Sequence, residues 1–192
     1  MQVLQKISVH DVQFNHSIHY PFQIPSSHSS RKKKMAEVGK AVPSATIYFK
    51  SDKGIETVDA HEALSKGKNI VFGIPGAFTP TCTAQHVPGF EKHYDEIKQK
   101  GVDNVYCVAV NDAFVMEAWA QSMGAEKVTM WSDGNGEWTK KLGIELDGSG
   151  KGLGLRCKRF AMIVKDGVIE AFDVEQPGAF EVSKAEVVMT KL

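Results

Sequence analysis

The stretch Pro75-Gly76-Ala77-Phe78-Thr79-Pro80-Thr81-Cys82 brings together residue types that can activate a thiol. An apolar run ends, a loop of Pro and Gly follows, and a cysteine arrives where a helix should begin. The first amides of a helix have no intrahelical acceptor, and the helix dipole puts partial positive charge at the same end, so a negative group is favoured there. The thiolate is the nucleophilic form of cysteine. Thr79, three residues ahead of Cys82, can turn its hydroxyl toward the sulfur and hydrogen-bond a bound substrate. Pro75 and Pro80 restrict the backbone and hold the loop in one shape. Position 85 is Gln85, so no CxxC pair is present for dithiol exchange. Taken singly, Cys82 would read as a small buried hydrophobe, Thr79 as a helix cap and Pro75 as a turn residue. Their coincidence at one helix entry favours chemistry at the sulfur.

Other reactive side chains are sparse. The remaining cysteines are Cys107, inside the apolar run Tyr106-Cys107-Val108-Ala109-Val110, and Cys157. Cys157 stands two residues before Arg159; on one strand the two would share a face. His86 follows Cys82 by four and so lies on the same helix face, where satisfying a nearby polar group is preferred over supporting the thiolate. Cys82, His86 and Cys107 fit no compact zinc spacing, so no metal or other cofactor is expected. Gly148-Ser149-Gly150-Lys151-Gly152-Leu153-Gly154 lacks the Lys-Ser/Thr pair of a phosphate loop and reads as a connecting loop. Phe78, Phe114 and Trp119 read as core, with an apolar entrance or a dimer contact as the alternative.

Those residues must be placed by a scaffold, and the sequence outlines one. The chain has 192 residues, three cysteines and balanced charge, with Lys+Arg and Asp+Glu both at 23. No global field points toward nucleic acid or membrane, and an odd, scattered set of cysteines suits free thiols in a reducing compartment. Residues 1–34 are rich in Ser, end in Arg31-Lys32-Lys33-Lys34 and hold a single acid, Asp11; they read as a disordered or targeting extension before a domain over 35–192. Strands are expected at 45–49, 69–73, 105–110 and 128–131, and helices at 59–66, 81–100 with an interruption at Pro88, 113–123, 136–142 and 183–191. A turn is expected at 50–54, and a hairpin over 160–164 and 168–172 around Asp166-Gly167. The alternation implies an α/β sandwich around a mixed central sheet flanked by helices.

The signature Pro75-x-x-x-Thr79-x-x-Cys82 resembles the peroxiredoxin active-site motif, and the wider stretch PGAFTPTCTAQHVPGF is similar to the type II, or peroxiredoxin-5-like, subfamily. The resemblance continues through Val110-Asn111-Asp112-Ala113-Phe114-Val115-Met116 and Lys158-Arg159-Phe160 and covers residues 38–192. It implies a thioredoxin-like fold and a thiol-dependent peroxidase in which Cys82 reduces hydrogen peroxide and organic hydroperoxides. Thr79 would orient the peroxide, with Pro75 in the same catalytic set. Arg159, otherwise readable as a solvated basic residue beside Arg156 and Lys158, would sit next to the sulfur.

The resemblance also frames how the sulfenic acid left on Cys82 is reduced. Cys107 matches the second cysteine of plant-type members, often given a resolving role, whereas its apolar strand argues for a buried inert thiol. The animal-type resolving cysteine has no counterpart in Gly178-Ala179-Phe180-Glu181-Val182-Ser183. A one-cysteine cycle completed by glutathione, glutaredoxin or thioredoxin is therefore expected, in a monomer or homodimer. Cytoplasm is the expected location, with mitochondrion or plastid as the alternative if residues 1–34 are a transit peptide. The C-terminal Thr190-Lys191-Leu192 is one residue away from the S-K-L peroxisomal address.

Overall fold

A computed structural model describes residues 35–192; the expectation for the N-terminal extension lies outside the described residues. The chain opens with a hairpin of β1 (Thr46–Ser51) and β2 (Gly54–Asp59), in which Thr46 faces Asp59 and Ser51 faces Gly54. The strand expected at 45–49 corresponds to β1 and the turn at 50–54 leads out of it, but β2 is not foreseen from the sequence. That strand is an edge strand with no fully buried residue, so it carries none of the apolar pattern that marks an inner strand. α1 (Ala60–Ala63) follows, capped by Asp59, whose Oδ1 accepts the Glu62 amide at 3.0 Å.

The centre of the fold comes next. β3 (Lys68–Gly73), β4 (Asn104–Ala109) and β5 (Thr129–Ser132) lie parallel, with β4 in the middle. They are connected through α2 (Val87–Gln99) and α3 (Ala113–Met123), and α4 (Glu137–Leu142) follows β5. The short β6 (Glu145–Asp147) and β7 (Leu155–Cys157) form a separate two-stranded ribbon. This ribbon brackets the Gly-rich loop, which the sequence alone did not resolve into strands. β8 (Phe160–Lys165) and β9 (Val168–Val174) form the expected hairpin. At its turn Asp166 and Gly167 have φ of 47° and 79°, the left-handed pair that a two-residue hairpin loop requires. α5 (Ala185–Met189) closes the chain.

Seven strands form one sheet in the order β2-β1-β5-β4-β3-β8-β9, with β1 and β8 antiparallel to their inner neighbours. This is the mixed sheet flanked by helices that the element order implied. Alternate residues of β3 feed opposite layers. Ile70 and Phe72 join Phe90, Ile97, Met116 and Trp119 under α2, α3 and α5. Val71 joins Ile47, Leu64, Trp138 and Phe160 on the other side, under α1 and α4. One glycine is essential to the end of β3. A Cβ on Gly73 would overlap the ring of Phe160, its register partner on β8. The two strands can close over each other there only without that side chain, and the reactive loop begins just beyond.

Candidate active site

The loop after β3 is shaped by a small set of hydrogen bonds. The Ile74 amide donates to the Val108 carbonyl at 3.0 Å, extending the β3–β4 pairing by one residue. The Thr79 hydroxyl donates to the Gly76 carbonyl at 2.8 Å, folding 76–79 into a tight turn. Phe78 occupies the left-handed region, with φ of 60°, a conformation that costs a non-glycine residue on the order of 1–3 kcal/mol. A clamp from outside the loop holds it in place. Asn111 Oδ1 accepts both the Ala77 amide and Arg156 Nη1, each at 3.0 Å. Gly76 lets that guanidinium approach, since a Cβ there would lie 2.6 Å from Arg156 Nη1.

Thr83 N then donates to the Thr79 carbonyl at 3.0 Å, and the helix begins. Pro80 and Thr81 are already helical, and the turn that follows, Cys82–His86, is a π turn in which the Val87 amide reaches back to the Cys82 carbonyl. The sequence reading expected Pro88 to interrupt the helix. It does not: Pro88 sits in the first turn of α2, where its missing N–H costs least, and the helix changes pitch ahead of it. Single π turns are frequent at functional sites. No side chain caps the start of this turn, and Cys82 is fully buried in the core layer that contains Phe72 and Phe90.

Arg159 lies in the two-residue break between β7 and β8, so Cys157 and Arg159 do not share a strand as considered from the sequence. Its Nη1 donates to His86 Nδ1 at 2.9 Å. A guanidinium has only donors, so Nδ1 must be the bare nitrogen and Nε2 carries the proton. That proton goes to the Ser183 carbonyl at 3.0 Å. Burial, then the Arg159 charge, holds His86 neutral, with its pKa lowered to about 3. Behind it, the buried Glu175 uses Oε1 to accept the Glu181 amide at 2.6 Å, the Ser183 amide at 2.9 Å and the Ser183 hydroxyl at 2.8 Å. Burial raises the pKa of this carboxyl, but the hydrogen bonds outweigh burial and the net shift is downward. The Glu175 amide donates to the Arg159 carbonyl at 2.9 Å, which closes a ring through Arg159, His86, Ser183 and Glu175. Phe180 packs against two members of it, 5.4 Å from the Arg159 guanidinium and 5.0 Å from the His86 ring. Pro75, Thr81 and Arg159 line one cavity of about 520 Å³.

The Redoxin family profile matches residues 37–189. Peroxiredoxin-2B of Arabidopsis thaliana is 45% identical over 157 residues, covering 81% of this chain and 97% of its own. The chloroplastic Peroxiredoxin-2E of the same plant is 44% identical over 160 residues, covering 81% and 68%. Among solved structures, reduced Prx3 of Vibrio vulnificus in complex with hydrogen peroxide superposes with a TM-score of 0.79 at 42% identity, covering 81% of this chain and 98% of that one. Peroxiredoxin 5 of Alvinella pompejana superposes with a TM-score of 0.72 at 30% identity, covering 81% and 97%. The chain belongs to the type II peroxiredoxins.

This peroxiredoxin is a thiol-dependent peroxidase with a thioredoxin-like fold. Of the residues singled out from the sequence, Pro75, Thr79 and Cys82 lie on one loop-to-helix entry, and Arg159 reaches the same turn through His86. Cys107 sits in mid-β4, between Phe72 of β3 and Met130 of β5. Burial, then the neighbouring Cys82 and Cys157, pushes its pKa well above the ordinary thiol value. Cys157 ends β7, and its S–H donates to the Ile74 carbonyl at 3.0 Å. Burial, then the negative Asp133, pushes that pKa up to about 12, so the thiol stays a donor. Phe78 and Phe114 are exposed, whereas Trp119 is buried with Nε1 on the Thr83 hydroxyl. Four residues of the site went unread in the sequence: Asn111 and Arg156 of the loop clamp, and Glu175 and Ser183 of the ring. Asn111 belongs to a motif that matches the family, so its position was visible although its role was not.

Proposed function

We propose that Cys82 is the peroxidatic nucleophile, working with Thr79, Pro75 and Arg159. The observation that carries this reading is the 2.9 Å hydrogen bond from Arg159 to His86, which ties a permanent cation to the turn that begins at Cys82. The Cys82 thiolate attacks one oxygen of the hydroperoxide. An S–O bond forms as the O–O bond breaks, the sulfur is oxidised by two electrons, and the peroxide is reduced. The departing oxygen takes a proton and leaves as water or alcohol, and Cys82 remains as a sulfenic acid. Guanidinium N–H groups stabilise the charge that builds on the departing oxygen. The Thr79 proton is committed to the Gly76 carbonyl, so its oxygen acts as an acceptor and orients the hydroperoxide by its O–H. Pro75 adds apolar surface to the cavity that Thr81 and Arg159 also line and keeps water back there.

The cycle needs no metal, haem or flavin, only an external thiol. That thiol attacks the sulfenic sulfur, water leaves, and a second thiol releases the resulting mixed disulfide. Glutathione with glutaredoxin, or thioredoxin, supplies this chemistry. The depth of Cys107 in β4 favours a one-cysteine cycle over a Cys82–Cys107 disulfide. The protein acts as a monomer or homodimer in the cytoplasm. A plastid location is the second reading, supported by the similarity to a chloroplastic relative. Stopped-flow mixing of reduced protein with one equivalent of hydrogen peroxide tests the core of the reading. Rapid stoichiometric consumption that is lost in Cys82→Ser is expected, with intact mass giving one added oxygen, or a thiol adduct once glutathione is present. Reaction no faster than that of free cysteine overturns the reading.

A further inference from the structure

The cavity beside Arg159 has a volume of about 520 Å³. A water-sized molecule needs only about 30 Å³, whereas pockets of several hundred Å³ hold ligands with a body. Hydrogen peroxide alone does not account for the space. The lining has two parts. Lys151, Lys158 and Arg159 supply positive charge, while Leu146, Leu153 and Pro177 supply apolar wall.

The two acids in the same lining are already engaged by their own loops. Asp147 Oδ1 accepts the Ser149 amide at 2.9 Å, and the Ser149 hydroxyl also bonds the carboxylate. Glu175 Oε1 is taken by Ser183 and the Glu181 amide. Neither Lys151 nor Lys158 forms an ion pair with another side chain among the described residues. Both carboxylates stay ionised, so the cavity offers an incoming ligand three cationic side chains against two anionic ones, with the acids' oxygens turned to their own loops and Lys151 and Lys158 unpaired, beside an apolar face.

We propose that this cavity selects hydroperoxides bearing a carboxylate on a short aliphatic body. Lys151 and Lys158 receive the carboxylate, Leu146 and Leu153 cover the chain, and the O–O bond is directed toward the Arg159 end. The inference rests on the peroxidase reading of Cys82 and specifies its substrate class. Ionic contacts at a partly wetted site are individually modest and screened by salt, so the expected effect is a preference rather than an absolute requirement.

The test is single-turnover oxidation of the reduced full-length protein, without any thiol present, so that docking of a carboxylate-bearing reductant cannot enter. The probes are a medium-chain ω-hydroperoxy carboxylic acid, its methyl ester, and hydrogen peroxide as reference. At low salt the acid is expected to react about twofold to thirtyfold faster than the ester. The preference should shrink toward one at high salt and in the double variant Lys151→Gln, Lys158→Gln. Wild-type protein that consumes hydrogen peroxide yet treats acid and ester alike overturns the substrate assignment and leaves the Cys82 reading standing. A preference that survives undiminished in the double variant also overturns it. Protein that reacts with none of the three overturns both.

Discussion

Cys82 and Cys107 are both fully buried and belong to the same apolar core layer, yet their surroundings differ in kind. Cys107 stands in mid-strand between two parallel neighbours, where every nearby backbone group is spent on the sheet. Cys82 opens a π turn with no side-chain cap, two residues into its helix and one turn from a histidine that accepts from an arginine. Burial alone is therefore a poor guide to thiol reactivity. The Arg159 charge also acts on Cys107, where burial outweighs it, so what separates the two sites is the guanidinium's hydrogen-bonded place one turn from Cys82 and the access of that turn to fixed donors. A strand interior has none left over, whereas a loop-to-helix entry does.

The sharpest way to break this contrast is to remove the charge. Arg159→Gln should lower the second-order rate with hydrogen peroxide by about 10²–10³-fold, the range for losing a donor aimed at developing negative charge. Arg159→Lys keeps the charge but loses the planar fork, so one group can no longer serve His86 and the substrate together. It should recover only part of the rate. Stopped-flow kinetics measures both, with iodoacetamide alkylation of Cys82 as a control for simple access to the thiol. Full activity in Arg159→Gln would mean that the helix entry alone distinguishes Cys82 from Cys107.

The ring behind Arg159 sharpens the same contrast through pH. His86 has its pKa lowered to about 3 by burial and by the Arg159 charge, against about 6.5 in an unfolded chain. Between those values the unfolded chain binds a proton at His86 that the folded chain does not. Stability therefore rises with pH across this window and is lost on acidification. From pH 7 to pH 4.5 the loss from this one group is about 2–3 kcal/mol. Glu175, whose pKa is lowered, acts in the same direction, and Asp133, raised by burial, acts in the opposite one. Urea unfolding at the two pH values should give a shallower dependence for His86→Gln than for the wild type. An unchanged dependence would mean that His86 does not stay neutral between Arg159 and Ser183.

Much of this was legible beforehand, because it is local. The Pro/Gly loop, the helix entry at Cys82 and the Asp166-Gly167 turn declare themselves within a few residues. The central strands and α3 were visible from apolar runs and helical spacing. What could not be read was what folding brings together over distance. Glu175 and Ser183 are eight apart in an irregular segment, and nothing in their spacing says that one carboxylate oxygen gathers three donors. The π turn was hidden as well, because Pro88 signals a break in either pitch. β2, β6 and β7 are short or lie at an edge, where burial imposes little pattern.

The smallest expected effect falls on the other half of the contrast. Cys107→Ala removes a sulfur from a packed strand and should cost about 1 kcal/mol of stability through lost contacts. The rate of Cys82 oxidation should nevertheless stay within about twofold of the wild type, since the Thr79 turn and the Arg159 ring lie outside β4. Cys157→Ser keeps a donor for the Ile74 carbonyl and should behave alike. Nonreducing gels after one peroxide equivalent should give no intramolecular disulfide in the wild type. A slowed oxidation step in Cys107→Ala, or a Cys82–Cys107 disulfide in the wild type, would place the strand cysteine inside the cycle.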